Sequence, residues 1–228
     1  MKKIISWLGK ALLAMFVASI VMVVLLSIFP VYFTPLMGIR TVEQVFSNEK
    51  SLVLKKDWEP IEKISPHLYL AVIASEDQKF LSHGGFDWEA IENAFKGNKS
   101  GKQLKGGSTI SNQTAKNVFL WPGRNFVRKG LEAYFTVLIE FLWGKERILE
   151  VYLNVIEMGD GIYGAEAAAQ YYFKKPASEL NRQEAALIAA VLPNPIRWRP
   201  DKPTNYIRNR QSWILRNMRN LGEVKFEK

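Results

Sequence analysis

The 228-residue sequence contains no cysteine. That removes a disulfide scaffold, a thiolate zinc site and a cysteine nucleophile together. Histidine is scarce as well. His67 and His83 are the only two, too few for a zinc centre that takes about three or four protein ligands. Acids are short against bases, 22 Asp+Glu to 31 Lys+Arg, so the formal charge is +9. There is no internal repeat and no sustained apolar–polar alternation, which leaves little room for a sheet protein. The 48% apolar and 12% aromatic residues suffice for a buried core and argue against disorder. The length allows one ordinary domain and excludes a large two-domain enzyme.

Charge is also missing locally. None occurs between Lys10 and Arg40, and residues 11–29 are almost wholly apolar, enough for a helix to cross about 30 Å of hydrocarbon. A cleaved signal peptide is the rival reading, but its apolar region is usually about 7–15 residues and ends at small residues. Here bulky Ile28, Phe29, Val31, Tyr32 and Phe33 occupy those places, so the segment reads as an uncleaved anchor. Lys2, Lys3 and Lys10 precede it without an acid, which puts the N-terminus in the cytoplasm. The organisation expected is a cytoplasmic basic tail (1–10), a transmembrane helix (11–33) ended by Pro30 and Pro35, a connector (34–57) that packs on the domain, and an exported domain (58–228). Six of the nine net charges stay with the exported part, which draws it to anionic headgroups or phosphate-bearing ligands. Nucleic acid is not an expected partner outside the cell.

Along the domain the pattern is helical. Ser65-Pro66 caps an apolar helix that stops near 75–80. Residues 96–107 carry four lysines and one aliphatic residue, cannot bury much, and read as a mobile loop. Ser108-Thr109 caps a helix to about 119. Helical periodicity follows over 126–143 and 145–153, an alanine-rich helix over 165–173, an apolar helix over 185–192 after the capping pair Asn181 and Glu184, and a last helix over 206–221 stopped by Gly222.

Three segments carry residue types that a core does not need. Glu76 and Asp77 close a buried helix before Phe80, His83 and Gly85; a carboxylate at such a dry rim is a better base, though a solvated helix end reads the same. Gly106, Gly107, Ser108 and Thr109 open a helix bearing Gln113, Lys116 and Asn117, where backbone N–H groups favour an anion; an ordinary capped helix is the plain alternative. Arg124, Arg128 and Glu132 share one stripe beside Lys129. They read either as a surface salt bridge or as a carboxylate held among phosphate-gripping cations. Gly130 inside that helix costs about 1 kcal/mol against alanine, which suggests close approach by something. The run 147–154 reads as scaffold.

Taken together, Glu76-Asp77 with Phe80 and His83-x-Gly85, GGSTI with Gln113 and Lys116-Asn117, Arg128-Lys129-x-x-Glu132 and ILEVYLN at 148–154 resemble the peptidoglycan glycosyltransferases, glycosyltransferase family 51. The likeness runs on through Gly159-Asp160-Gly161 and Leu192-Pro193-Asn194-Pro195. It implies a mainly α, lysozyme-like glycosyltransferase domain with a large lobe and a small membrane-proximal jaw behind one N-terminal transmembrane helix. No transpeptidase module follows before Lys228, so a monofunctional chain is expected. The implied reaction joins lipid II to a growing lipid-linked glycan with inversion, releasing undecaprenyl diphosphate, at the outer face of the bacterial inner membrane. By the same likeness Glu76 is the base and Glu132 the second carboxylate. Lys116, Arg124, Arg128 and Lys129 neutralise the diphosphate, with Ser108, Thr109, Gln113 and Asn117 as hydrogen-bonding neighbours. Asp77, Phe80, His83, Gly106 and Gly107 support the site. A divalent cation, Mg²⁺ or Mn²⁺, on Glu132 is left open, as are other cell-wall proteins as partners; no organic cofactor is implied. A hydrolase of the same polymer would share the carboxylates, but it has no use for the cations. A non-catalytic scaffold would need neither.

Overall fold

In the computed structural model, residues 2–46, 53–99, 107–123 and 125–226 are described, except the side chains of 95 and 97–99. The centre is helix α3 (Pro66–Glu76), whose Leu68, Leu70, Ala71, Val72, Ile73 and Ala74 are all buried. A helix apolar on every side has to be surrounded. Two helices flank it, α9 (Arg182–Val191) and α10 (Asn205–Leu221). As the sequence requires, Pro66 is the first helical residue and the Ser65 hydroxyl accepts the His67 N–H. Asn181 and Glu184 form a reciprocal capping box on α9, so that helix begins three residues before its apolar run.

The second group is α5 (Ile110–Phe119), α6 (Phe126–Leu142) and α7 (Lys145–Val155), with α5 between the other two. Phe119 stacks on Phe135 at 4.4 Å between ring centres, which fastens the end of α5 to the middle of α6. Helix α8 (Ala165–Phe173) packs on a three-stranded sheet. Its order is β1 (Lys55–Lys56), β3 (Ile162–Tyr163), β2 (Glu157–Gly159), parallel then antiparallel. The sheet was illegible in the sequence because strands of two or three residues show no period. Gly161 forms its turn at φ +70°, and a Cβ there would sit 2.0 Å from the Val53 carbonyl oxygen.

Three expectations about the N-terminal half need correction. The apolar helix α1 runs Lys2–Leu26, so the three lysines lie on it. It ends before Pro30 in a turn closed by Ser27 and Phe29 N–H bonds to Val23 and Leu25 carbonyls; residues 30–33 are non-helical chain. Pro35 does not end a helix. It opens α2 (Pro35–Phe46) inside the connector, where a fixed φ suits the first turn. Residues 96–99, assigned to a loop, continue helix α4 (Trp88–Lys99). Helix α1 is apolar and long enough to cross a membrane, and it docks on the domain. Ser19 and Tyr134 share a hydroxyl hydrogen bond at 2.8 Å, the Trp143 indole donates to the Val23 carbonyl at 2.8 Å, and Arg147 donates to the carbonyls of Leu26 and Phe29.

Candidate active site

Glu76 is the last residue of α3, and Asp77 leaves the helix at φ −162°. The two carboxylates thereby point to different work. Glu76 stays in a polar rim with its side chain 14% exposed. Its Oε1 accepts the Ser75 hydroxyl at 3.1 Å and lies 3.5 Å from Arg210; its Oε2 accepts Gln113 Nε2 at 3.1 Å. Asp77 is buried and braces. It accepts His83 Nε2 at 3.0 Å and the Ile110 backbone N–H at 2.9 Å, placing a negative charge at the N-terminus of α5, where the helix dipole favours it. His83 Nδ1 accepts the Gly85 N–H at 3.1 Å, which leaves Nε2 to carry the proton given to Asp77. Phe80 is fully buried with the His83 ring edge-on to it. Gly85, at φ +92°, has no room for a Cβ, which would meet Thr136 at 2.8 Å.

Thr109 is the cap of α5, in a box with Asn112. Its hydroxyl accepts the Asn112 N–H at 3.1 Å and donates to the Gly85 carbonyl at 2.7 Å. At 3% exposure this hydroxyl is engaged within the protein. Ser108 is exposed, and Gly107 packs against Ile91. Gly106 and Arg124 lie outside the described residues.

One turn past Thr109, Gln113 bridges. Its amide donates to Glu76 and its oxygen accepts the Tyr152 hydroxyl at 3.3 Å. Tyr152 is fully buried, and its phenol is pushed well above the usual tyrosine range by burial first, then by Glu76 and Asp77. Lys116 follows on α5. Burial lowers its pKa from 10.5; Glu132 and Glu76 oppose that shift, while Arg128 and Lys129 add to it. One ammonium thus feels both carboxylates. Among the described residues it makes no ion pair or hydrogen bond of its own.

The stripe on α6 is not a surface salt bridge. Arg128 and Glu132 are 8% and 4% exposed, because this face of α6 turns toward α5. Glu132 Oε2 takes Arg128 at 3.3 Å and Oε1 takes Lys129 at 2.5 Å. The Nε of Arg128 and the Nδ2 of Asn117 are buried donors without a partner among the described residues, and such donors cost about 1–3 kcal/mol each until something accepts from them. Gly130 does not mark a close approach within the chain. A Cβ there would meet nothing within 4 Å. No cluster of three or more metal-ligating side chains occurs among the described residues. Both oxygens of Glu132 are taken by cations, with Lys116 near, so this donor set does not fit a divalent cation.

Sequence reasoning missed Arg210 and Tyr152. Arg210, on α10, donates to the Ser75 hydroxyl at 3.1 Å beside Glu76. Its signal was weak, one arginine of four along that helix.

A carboxylate held at the edge of a group of cations is the equipment of an enzyme that transfers a group away from an anionic leaving group. The comparisons agree. The family model described as Transglycosylase matches residues 43–219. A Bdellovibrio bacteriovorus protein named biosynthetic peptidoglycan transglycosylase is 57% identical over 210 residues, covering 92% of this chain and 84% of its own. Proteins of the same name from Shewanella oneidensis and Bacteroides thetaiotaomicron are 49% and 54% identical, covering 100% and 95% of this chain and 96% and 87% of theirs. The chain belongs to the transglycosylase family; it is mainly helical, and among the described residues one N-terminal helix is apolar and long enough to serve as a single-pass anchor.

Proposed function

We propose that this chain polymerises lipid II into linear glycan strands for the cell wall. Glu76 takes the proton from the 4-hydroxyl of the incoming disaccharide as that oxygen bonds to the anomeric carbon of the growing strand. The anomeric carbon's bond to the diphosphate oxygen breaks on the opposite face, inverting the centre. The released charge passes to the undecaprenyl diphosphate, which Lys116, Arg128 and Lys129 neutralise. Glu132 holds Arg128 and Lys129 in place. No step runs through a metal ion.

The observation that carries this reading is geometric: Gln113 of α5 donates to Glu76 at 3.1 Å, and Lys116 stands three residues further along the same helix, which packs against the α6 face that buries Arg128 and Glu132. Base and cations are thereby brought to one side of α5. The unpartnered donors of Arg128 and Asn117 support the same reading, because phosphate oxygens would satisfy them. The docked anchor supports a lipid-linked substrate. Tyr134 touches Ser19 of α1, and Arg128 lies six residues earlier on α6, about 9 Å along its axis. The cations therefore sit beside the span. With the N-terminal lysines in the cytoplasm, the domain faces the periplasm of a bacterial inner membrane.

The test is incubation of the purified full chain in detergent with lipid II, followed by sizing of the glycan. Wild type should lengthen strands, and Glu76→Gln should lower the rate by at least 10²-fold. Shortening of preformed strands without elongation would establish the hydrolase reading instead.

A further inference from the structure

The α3/α10 seam ends at two places. One is the Glu76–Arg210 contact. The other is a cavity of about 440 Å³ lined by His67, Leu70, Arg182, Arg219, Glu223 and Val224, among others. That volume falls in the range of about 300–1,000 Å³ usual for small-ligand sites.

Its charges are unbalanced. Neither Arg182 nor Arg219 has an acid within ion-pair distance among the described residues. An NH2 of Arg182 is buried with no hydrogen-bond partner there. Glu223, the acid in the wall, sits with Lys225 at 3.4 Å. Two arginines that line a hollow without an acid partner call for an acceptor, and a planar carboxylate fits the guanidinium fork. Leu70 and Val224 offer an apolar wall for small side chains. Leu70 and Pro66 precede Glu76 by six and ten residues on one helix, so the cavity lies about 9–15 Å from the base along α3. An extended peptide of about five residues reaches roughly 17 Å.

We infer that this cavity receives the free carboxylate end of the peptide branch carried by the substrate disaccharide. The inference rests on the reading under Proposed function for the identity of the peptide, not for the chemistry of the cavity. The branch would be held at its tip while its sugar lies at Glu76, so the site should act on substrate affinity more than on turnover.

The test uses the full chain in detergent with an N-acylated, fluorophore-labelled pentapeptide ending in a free alanyl carboxylate, read by anisotropy. Binding should saturate, fall at least 10-fold for the C-terminal amide, and fall at least 10-fold in both Arg182→Gln and Arg219→Gln. In polymerisation, Arg182→Gln should raise KM for the peptide-bearing substrate several-fold at constant kcat. Its KM for the substrate without the branch should not change, which also shows that the variant is folded. Equal binding of acid and amide, or variants that bind as wild type, would overturn the inference. Competition by millimolar inorganic phosphate as strong as by free peptide would overturn it too, since the hollow would then be a general anion site. Failure of the enzymatic reading looks different: no polymer from either substrate, with acid-selective peptide binding intact.

Discussion

Replacing Lys116 separates its charge from its bulk. The ammonium is drawn toward neutrality chiefly by burial, with Arg128 and Lys129 acting the same way and Glu132 and Glu76 opposing. Its folded-state pKa therefore lies below the 10.5 of an ordinary lysine. If the charged form holds the departing diphosphate, kcat/KM falls as pH rises through that lowered value. Unfolding is not the cause. Between the lowered value and 10.5 the unfolded chain binds more protons than the folded one, so this group's contribution to stability rises with pH in the same window. Lys116→Arg keeps the charge beyond any accessible pH and should move the alkaline fall upward. Lys116→Met loses a charge-assisted hydrogen bond of about 1.5–3 kcal/mol, or roughly 10- to 150-fold in kcat/KM. It should not lower the melting temperature, since it removes a cation that burial disfavours. The assay is initial-rate polymerisation from pH 6 to about 10.5, with melting followed on the same samples. A wild-type profile flat to the top of that range, or a Lys116→Arg profile that falls where wild type does, would refute the argument.

Arg210→Gln frees the Ser75 hydroxyl and takes the cation 3.5 Å from Glu76 away; kcat should drop about 10-fold with KM little changed, and Arg210→Lys should recover part of it. Asp77→Asn leaves the His83 and Ile110 donors facing an uncharged amide, so thermal or denaturant unfolding should show a loss of about 2–3 kcal/mol even without substrate. Gly130→Ala places a methyl in open space and should stabilise α6 by about 1 kcal/mol, a melting shift of roughly 2–4 °C, with activity retained. Lost activity at raised stability would show instead that substrate or lipid lies against that position.

The parts legible in the sequence were those written into neighbouring residues. The caps Ser65, Asn181 and Glu184 and the apolar run of α3 each specify their own helix, so Glu76 could be placed at a buried helix end before any tertiary contact was known. The N-cap at 108–109 was legible to within one residue. Its partner at the third helical position is Asn112, not the usual Glu or Gln, and the amide also donates to Gly85 and Thr136. Arg210 and Tyr152 were not legible, because each reaches the site only through packing, 134 and 76 residues from Glu76 in the chain. The stripe on α6 was legible as a pattern and ambiguous as an environment. An i, i+4 arginine and glutamate look alike in sequence whether exposed or buried, and only the burial of Thr136, Ile139 and Phe135 along the same helix shows which face turns inward.

Helix α6 joins the two halves of the argument. Its first two turns hold Arg128, Lys129 and Glu132, and the anchor docks on Tyr134 further along it and on Trp143, the residue that caps its end. Loosening the anchor should therefore reach the chemistry. Trp143→Phe removes the indole N–H from the buried Val23 carbonyl, a cost of about 1–3 kcal/mol at the α1/α6 contact with no side chain of the site altered. Polymerisation of lipid II in bilayers should then weaken through KM, while a short-chain, detergent-soluble substrate is used at the wild-type rate. Equal effects on both substrates would mean that the anchor only tethers the domain and does not set the height of its cations.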